Sequence, residues 1–285
     1  MKRWIIAITI AVAPLSAHAA VPIERQGSSP SPLVRIEATA LVVLDKETGA
    51  ELLSRSPDSP WPIASITKLL SAITRLDAKP NLDRLVIMQR SDEVGGARLR
   101  NVRPGVRFRS RDLLAAGLIG SANNAIQALA RVSGPGVKTF VSKMNKTARG
   151  IGLKQTAVYD PTGLNPRNVA TGRDLAHLIR RAYAIPQIKN LLESETYTIN
   201  PVGRGTVRTI KNTNKLVGAT NGYHIAGKTG FIDESKYNFA AVADDDLGHP
   251  LVVVLLGNSS SAQNFEDTRA LAEWVWANFE WQVTP

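Results

Sequence analysis

The sequence predicts an α+β fold in which one antiparallel sheet is covered by helices. Strand-like segments lie towards both ends of the chain, whereas segments with apolar residues at three- and four-residue spacing fill the middle. The two ends must then meet in one sheet, with the helical middle inserted between them. We therefore predict one domain that contains a mainly helical inserted subdomain, and we find no internal repeat.

The first 19 residues have the layout of a cleavable secretory signal. Lys2 and Arg3 precede a short apolar run that Pro14 interrupts, and small residues follow at Ala17 and Ala19. The run is too short to cross a hydrocarbon core, which requires roughly 20 apolar residues. We predict cleavage after Ala19 and export to the periplasm or cell envelope without a stable membrane anchor. An uncleaved anchor is the alternative.

The sequence after the signal divides into a leader and a folded domain. Residues 20–32 are rich in Ser and Pro and lack periodicity, which predicts a flexible leader, and residues 33–285 form the domain. Turn residues at 46–49 and 247–248 predict two hairpins. Helical spacing predicts five helices between the hairpins and one closing helix that lies on the sheet. These helical segments are 65–76, 111–119, 123–132, 137–151, 173–184 and 265–282.

The composition restricts the possible partners. The chain has no Cys, so no disulfide or lipid attachment site is possible. The formal net charge of +11, or +9 without Lys2 and Arg3 (11 − 2), favours anionic partners. Nucleic acid is not an expected partner, because the basic residues are scattered and the signal directs export. His177, His224 and His249 lack the spacing of a zinc site, so we expect no metal and no zinc peptidase.

The first chemical motif is Ser65-x-x-Lys68 at the start of a predicted helix. A spacing of three places both side chains on one helix face. A buried lysine held partly neutral can take the proton of a serine hydroxyl and so activate it as a nucleophile. Alone, the motif is more typical of a capping Ser with a solvated Lys than of a catalytic pair.

The second motif is Ser121-Ala122-Asn123, at a break between two helical segments. A hydroxyl there could pass a proton between Lys68 and a leaving amine, and the Asn123 amide could hold Lys68 or the substrate backbone. Alone, this triplet is more typical of a serine that caps a helix.

The third motif is Lys228-Thr229-Gly230, flanked by apolar residues as in a strand. Lys228 would bring positive charge to a site, Thr229 could bind a carboxylate, and Gly230 would let a ligand approach the backbone.

The three motifs together resemble a known family. Their order is the one found in β-lactamases and penicillin-binding proteins. From Leu33 to Trp281 the chain resembles the low-molecular-mass penicillin-binding proteins, which are D-alanyl-D-alanine carboxypeptidases and endopeptidases. The stretches PIASITKLLSAI, DPTGLNPRNVATGRDLAHL and KNTNKLVGATNGYHIAGKTGF carry this likeness. The resemblance implies a β-lactamase/DD-peptidase-like fold, a catalytic domain over 33–285 and no cofactor. It also implies peptidoglycan peptides as substrates and β-lactams as covalent inhibitors.

The resemblance also implies roles for the residues that perform the chemistry. Ser65 would be acylated, Lys68 would be the general base, and Ser121 would serve proton transfer. The backbone N–H groups of Ser65 and Phe231 would form the oxyanion hole.

Other motif residues would bind the substrate by the same resemblance. Asn123 would position it, and Lys228 and Thr229, with Gly230, would bind its terminal carboxylate or the equivalent group. Two departures from the family pattern are visible. Ile232 stands where the family usually has Thr, and ATGRDLA replaces STARDLA; only Ile232 bears on the pocket rim.

Several details resemble the penicillin-binding protein 7 type, an endopeptidase that opens crosslinks. The stretch from Gly95 to Leu114 is similar to that subgroup, and Phe231 follows the Lys-Thr-Gly motif. The chain also ends without the extra β domain and anchor helix of larger carboxypeptidases. We therefore predict an endopeptidase, with a carboxypeptidase that trims pentapeptides as the alternative.

Two further alternatives remain at this stage. A class A β-lactamase needs a Glu in a Glu-x-x-Leu-Asn stretch, but Pro161 occupies that position before Leu164-Asn165, and Asp160 is displaced by one residue. Fast penicillin hydrolysis is therefore not expected. A basic protein that only binds cell wall would not need Ser65, Lys68 and Ser121 together.

Overall fold

The computed structural model describes residues 20–218 and 222–282. The predicted signal over residues 1–19 lies outside the described residues. The strands of the described chain are β1 Val21–Glu24, β2 Ala40–Asp45, β3 Glu51–Arg55, β4 Trp61–Pro62, β5 Leu85–Ile87, β6 Arg107–Arg109, β7 Val169–Ala170, β8 Thr196–Ile199, β9 Arg208–Lys211, β10 Tyr223–Ile232, β11 Lys236–Asp245, β12 Leu251–Asn258 and β13 Phe279–Gln282. Its α-helices are α1 Thr67–Asp77, α2 Ser110–Leu118, α3 Asn123–Val132, α4 Val137–Gly150, α5 Gly172–Tyr183, α6 Pro186–Leu192 and α7 Ser261–Asn278.

Five strands form the central sheet in the order β10, β11, β12, β2 and β3, each antiparallel to its neighbour. Side chains of a strand alternate between the two faces of its sheet. In β2, Val42 and Leu44 accordingly enter one buried cluster, whereas Leu41 and Val43 enter the other. The sheet joins strands from both ends of the chain, which confirms the predicted α+β fold.

Helices cover both faces of this sheet. Helix α7 packs on β11 and β12 from one side, and α5 packs on β11, β12 and β2 from the other. Helix α1 lies between α5 and α4, while α2, α3 and α4 form the inserted helical part. Every residue of α1 from Thr67 to Arg75 is buried. The helix that follows the Ser65 turn therefore runs through the interior. Within the described residues, no helix is both long and apolar enough to cross a membrane.

The ends of the described chain differ from the sequence-based expectation. Residues Val21–Glu24, within the predicted flexible leader, form β1 and pair with β13. The closing helix ends at Asn278, and the remaining residues of the predicted helix form β13 instead. Both differences have one cause: pairing between segments more than 250 residues apart overrides the local pattern of each. Helix α6 was not predicted, because it is short.

Trp281 of β13 joins this terminal pair to the central sheet. Its indole Nε1 donates a hydrogen bond to Oδ2 of Asp45, at 2.8 Å, and its ring stacks on His249 with centroids 4.2 Å apart. Asp45 is buried, and its Oδ1 accepts from Thr48 N–H at 2.6 Å. The indole is therefore the donor that satisfies the second oxygen of a buried carboxylate.

We expect Trp281→Phe to lower the free energy of unfolding by about 1–3 kcal/mol, because it leaves a buried acceptor without a donor. Trp274→Phe is the matched control, since the indole of Trp274 donates to the exposed Pro30 carbonyl, which water can reach. Urea unfolding measures both. Equal losses in the two variants would show that the bond to Asp45 contributes nothing specific.

Candidate active site

Ser65 lies in a tight turn that leads into α1. The turn is a short 3-10 helix over Ala64–Ile66, and Ala64 has φ of 46°, a conformation that residues with a Cβ rarely adopt. The segment just before it is held from two sides. The N–H of Ile63 donates to the carbonyl of Asn168 at 2.9 Å, and the amide of Asn238 donates to the carbonyl of Pro62 at 2.9 Å. The hydroxyl of Ser65 is therefore presented from a fixed backbone.

Lys68 lies one turn further along, beneath Ser65. Its Nζ is 2.6 Å from Ser65 Oγ and 2.7 Å from the carbonyl oxygen of Thr162. Burial lowers the pKa of Lys68 well below its usual value, the positive charge of Lys228 lowers it further, and Asp160 opposes the shift. A buried amine that is readily neutral can accept the proton of the adjacent hydroxyl.

The other two motifs meet at Lys228, which is fully buried. Its Nζ donates to Ser121 Oγ and to the carbonyl of Thr229, both at 3.0 Å. Burial lowers the pKa of Lys228 to about 7. Ser121 has φ of 56° in the connection between α2 and α3, and Thr229 donates its hydroxyl to Thr213 Oγ1 at 2.8 Å. Ser121 thus bonds Lys228, where the sequence suggested a link to Lys68.

Asn123 is anchored by its amide nitrogen, which donates to the carbonyl of Gly95 at 2.8 Å. Its backbone N–H donates to the carbonyl of Ala97 at 2.7 Å. The expected alternative of a bond to Lys68 is not made in the described chain. Oδ1 of Asn123 is buried and has no partner among the described residues, and the residue lines the cavity. An unpaired amide oxygen is chemically complementary to an N–H group.

The loop over residues 160–165, which is not part of the three motifs, supplies the carbonyl that binds Lys68 Nζ. Asp160 Oδ1 accepts from the N–H and hydroxyl of Thr162, at 2.7 and 2.6 Å, and from Gly163 N–H at 2.9 Å, while Oδ2 accepts from Asn165 N–H at 2.8 Å. This Asp-x-Thr-Gly turn orients the Thr162 carbonyl towards Lys68. Its signal in the sequence was an Asp two residues before a Thr-Gly pair, which is typical of an Asx turn.

Two glycines allow the surrounding backbone to approach the Ser65 turn. Gly163 has φ of 89°, and a Cβ there would lie 1.8 Å from the carbonyl oxygen of Ala64. A Cβ at Gly230 would lie 2.9 Å from the carbonyl oxygen of Ile63 and 3.3 Å from Ser65 N. The sequence suggested that Gly230 makes room for a ligand. The structure adds a second reason, which is the close approach of strand β10 to the Ser65 turn.

The predicted residues converge on one cavity of about 530 Å³. Phe231 is 46% exposed at its rim, and its ring lies against Tyr237 with centroids 4.4 Å apart. Lys68 and Lys228 lie buried beneath it. The predicted site residues that line the cavity are Ser65, Ser121, Asn123, Thr229, Gly230 and Phe231. Among the residues described, no group of His, Cys, Asp or Glu could hold a metal ion.

The fold and this cavity define the class of penicillin-binding serine DD-peptidases. The sequence profile described as D-alanyl-D-alanine carboxypeptidase matches residues 25–260, and the chain belongs to this family. It is accordingly a serine-type D-Ala-D-Ala peptidase. This agrees with the predicted resemblance.

Curated relatives and solved structures cover most of the chain. It is 30% identical to a D-alanyl-D-alanine endopeptidase of Pseudomonas aeruginosa over 96% of this chain and 89% of the relative. An endopeptidase of Haemophilus influenzae is 32% identical, over 83% of this chain and 81% of the relative. The crystal structure of a D-alanyl-D-alanine carboxypeptidase from Mycobacterium tuberculosis superposes with a TM-score of 0.80 at 28% identity, covering 90% of this chain and 96% of that one.

We expect Gly163→Ala to slow covalent labelling by a fluorescent penicillin on the order of 100-fold, because its Cβ would displace the Ser65 turn. Gly152→Ala is the matched control: Gly152 also has positive φ, at 85°, but nothing lies within 4 Å of its added Cβ. Both variants should lose some stability from the backbone conformation. Labelling kinetics with a parallel urea denaturation check the expectation. Similar labelling rates in both variants would mean that the approach of Gly163 does not position Ser65.

Proposed function

We propose that this DD-peptidase cleaves D-alanyl bonds through an acyl-enzyme on Ser65, with Lys68 as general base. The observation that carries the proposal is the 2.6 Å contact between Lys68 Nζ and Ser65 Oγ, combined with the burial that favours a neutral amine. Lys68 takes the hydroxyl proton while Oγ attacks the D-alanyl carbonyl. The C–N bond then breaks, and water later hydrolyses the ester and frees the enzyme.

Ser121 is our proposal for returning the proton to the leaving amine. Its Oγ accepts a hydrogen bond from Lys228, so its own hydrogen remains free to be donated. Lys228 also places positive charge beside Thr229, a residue that lines the cavity. We propose that these two residues bind the carboxylate next to the scissile bond.

The negative oxygen of the tetrahedral intermediate requires N–H donors that are already in place. We propose the N–H groups of Ser65 and Phe231, as the sequence suggested. The supporting observation is the packing of Gly230 against Ser65, where an added Cβ would lie only 3.3 Å from Ser65 N. The strand residues around Gly230 and the Ser65 turn therefore border the same space.

The β-lactamase alternative has little support at the loop next to Lys68. Asp160 is the nearest counterpart of the water-activating Glu, but both of its oxygens accept hydrogen bonds within the loop. Pro161 has no side-chain base, and its carbonyl accepts from Ser71. A penicillin ester on Ser65 should therefore be hydrolysed slowly.

We further propose that crosslinked peptides are the preferred substrate. The curated relatives from Pseudomonas aeruginosa and Haemophilus influenzae are both described as endopeptidases. The cavity continues past Ser65 to Phe231 and Tyr237, whose rings offer apolar surface to a large leaving peptide. A carboxypeptidase that trims pentapeptides is the second candidate, because other relatives carry that description.

The site of action follows from the substrate. We propose that the protein works on peptidoglycan peptides in the periplasm or cell envelope after signal cleavage, without a stable membrane anchor, and that β-lactams inhibit it covalently. The formal charge of +9 that remains without Lys2 and Arg3 (11 − 2) supports attraction to an anionic wall. That attraction should weaken with salt, since surface charges are screened over about 10 Å at 0.1 M ionic strength.

We expect a penicillin to leave a long-lived adduct on the peptide that contains Ser65, detectable by intact-protein and peptide mass spectrometry. Ser65→Ala should show no adduct.

Lys68→Arg should acylate about 10²–10⁴-fold more slowly, because a guanidinium cannot serve as the neutral base. Ser65→Ala labelling at the wild-type rate would exclude Ser65, near-normal acylation of Lys68→Arg would exclude the base role, and rapid penicillin turnover would favour a β-lactamase.

We expect purified crosslinked muropeptide dimers to be cut faster than pentapeptide monomers lose D-alanine, because a large leaving peptide can use the surface of Phe231. Liquid chromatography with mass detection of parallel digests measures both rates. Phe231→Ala should slow the cleavage of dimers more than that of monomers. If monomers lose D-alanine while dimers stay intact, the enzyme is a carboxypeptidase.

A further inference from the structure

A second cavity of about 260 Å³ lies at the C-terminal end of α1, two turns of helix beyond Lys68. Arg75 lies seven positions after Lys68, which corresponds to about 10 Å along the helix axis. The walls of this cavity include three cationic side chains, two hydroxyls and one aromatic ring. These residues are Arg75, Arg84, Lys143, Thr74, Ser133 and Phe140. None of the residues that line it in the described chain carries a carboxylate.

Arg75 is a buried cation whose hydrogen-bond partners among the described residues are neutral hydroxyls. It is only 6% exposed, and its two terminal nitrogens donate to hydroxyls of Ser133 and Ser110, at 2.6 and 2.8 Å. Its Nε is buried and has no acceptor among the described residues. Thr74 is also 6% exposed, and its buried hydroxyl likewise has no partner there. Buried charges and hydroxyls are normally paired, and these two donors have no acceptor among the described residues.

The other two cations extend the positive charge to the mouth of the cavity. Arg84 and Lys143 are exposed, and Lys143 Nζ donates to the Ser133 carbonyl at 3.4 Å. Burial lowers the pKa of Arg75, and the nearby charge of Arg84 lowers it further.

The carboxylates closest along the chain face other partners. Asp77 faces Arg181 at 3.8 Å, and Asp83 faces Arg111 at 2.8 Å. Neither lines the cavity, so its positive charge is not compensated there.

We propose that this cavity binds a phosphate group. The Nε–H of Arg75 and the hydroxyl of Thr74 would donate to it from within, and Arg84 and Lys143 would contact it from the mouth. A tetrahedral dianion offers oxygens in several directions and matches three cations better than a planar monoanionic carboxylate does. The site is separate from the Ser65 cavity and does not depend on the peptidase chemistry.

Isothermal titration of the full-length protein with inorganic phosphate, at constant ionic strength, tests the proposal. We expect saturable binding that weakens about tenfold in Lys143→Gln and in Arg84→Gln, since each removes one charge-assisted contact. Lys146→Gln is the matched control: it removes another exposed lysine from the same helix, but one that does not line the cavity. Its affinity should equal that of the wild type. The variants are needed to locate the binding site, because Lys228 in the Ser65 cavity could also bind an anion.

Several results would overturn the proposal. Absence of saturable phosphate binding would mean that Arg75 only holds Ser110 and Ser133 together. Equal affinities in Lys143→Gln and Lys146→Gln would place any binding elsewhere. Acetate binding as tightly as phosphate would make the cavity a carboxylate site. Because Arg84 and Lys143 are exposed, both substitutions should leave the thermal midpoint within a few degrees, which a melting curve verifies.

Discussion

The burial of Lys68 is the constraint on which the active site depends. An ammonium in an apolar interior loses its hydration, and this loss favours the neutral amine that can act as a base. Such an amine must still find hydrogen-bond partners, and it has two, Ser65 Oγ and the Thr162 carbonyl. The Thr162 carbonyl is available because Asp160 fixes its loop, and the loop fits because Gly163 has no side chain.

Much of the fold and site was predictable because it rests on local pattern. Ser65 and Lys68 are three positions apart, so their closeness is predicted by the geometry of a single helical turn. The strand around Lys228 is predicted by the apolar residues on either side of it. The pairing of Lys228 with Ser121 is different, because it joins residues 107 positions apart and depends on how β10 packs against the helical part. The same applies to β1, whose four residues gain strand structure only from β13.

The role of Gly230 illustrates the same limit at one residue. A glycine at the end of the Lys-Thr-Gly motif suggests space for a ligand, which is a local interpretation. The structure shows that a side chain at Gly230 would clash with the backbone of Ile63, a residue far away in the sequence. Close approach between distant segments cannot be inferred from spacing, although the presence of glycine is compatible with both reasons.

The two buried lysines also make the stability of the folded protein depend on pH, and their pKa values give the direction of that dependence. Both values are lowered in the folded protein, so the unfolded chain binds more protons between the folded and unfolded pKa values. For Lys228 that window extends from about 7 to about 10.4, and the stability of the free enzyme should rise with pH across it. At lower pH both forms are protonated, and the folded protein retains the cost of a buried ammonium. A substrate carboxylate beside Lys228 would supply the missing counter-charge, so the charge that destabilises the empty site is complementary to the proposed ligand.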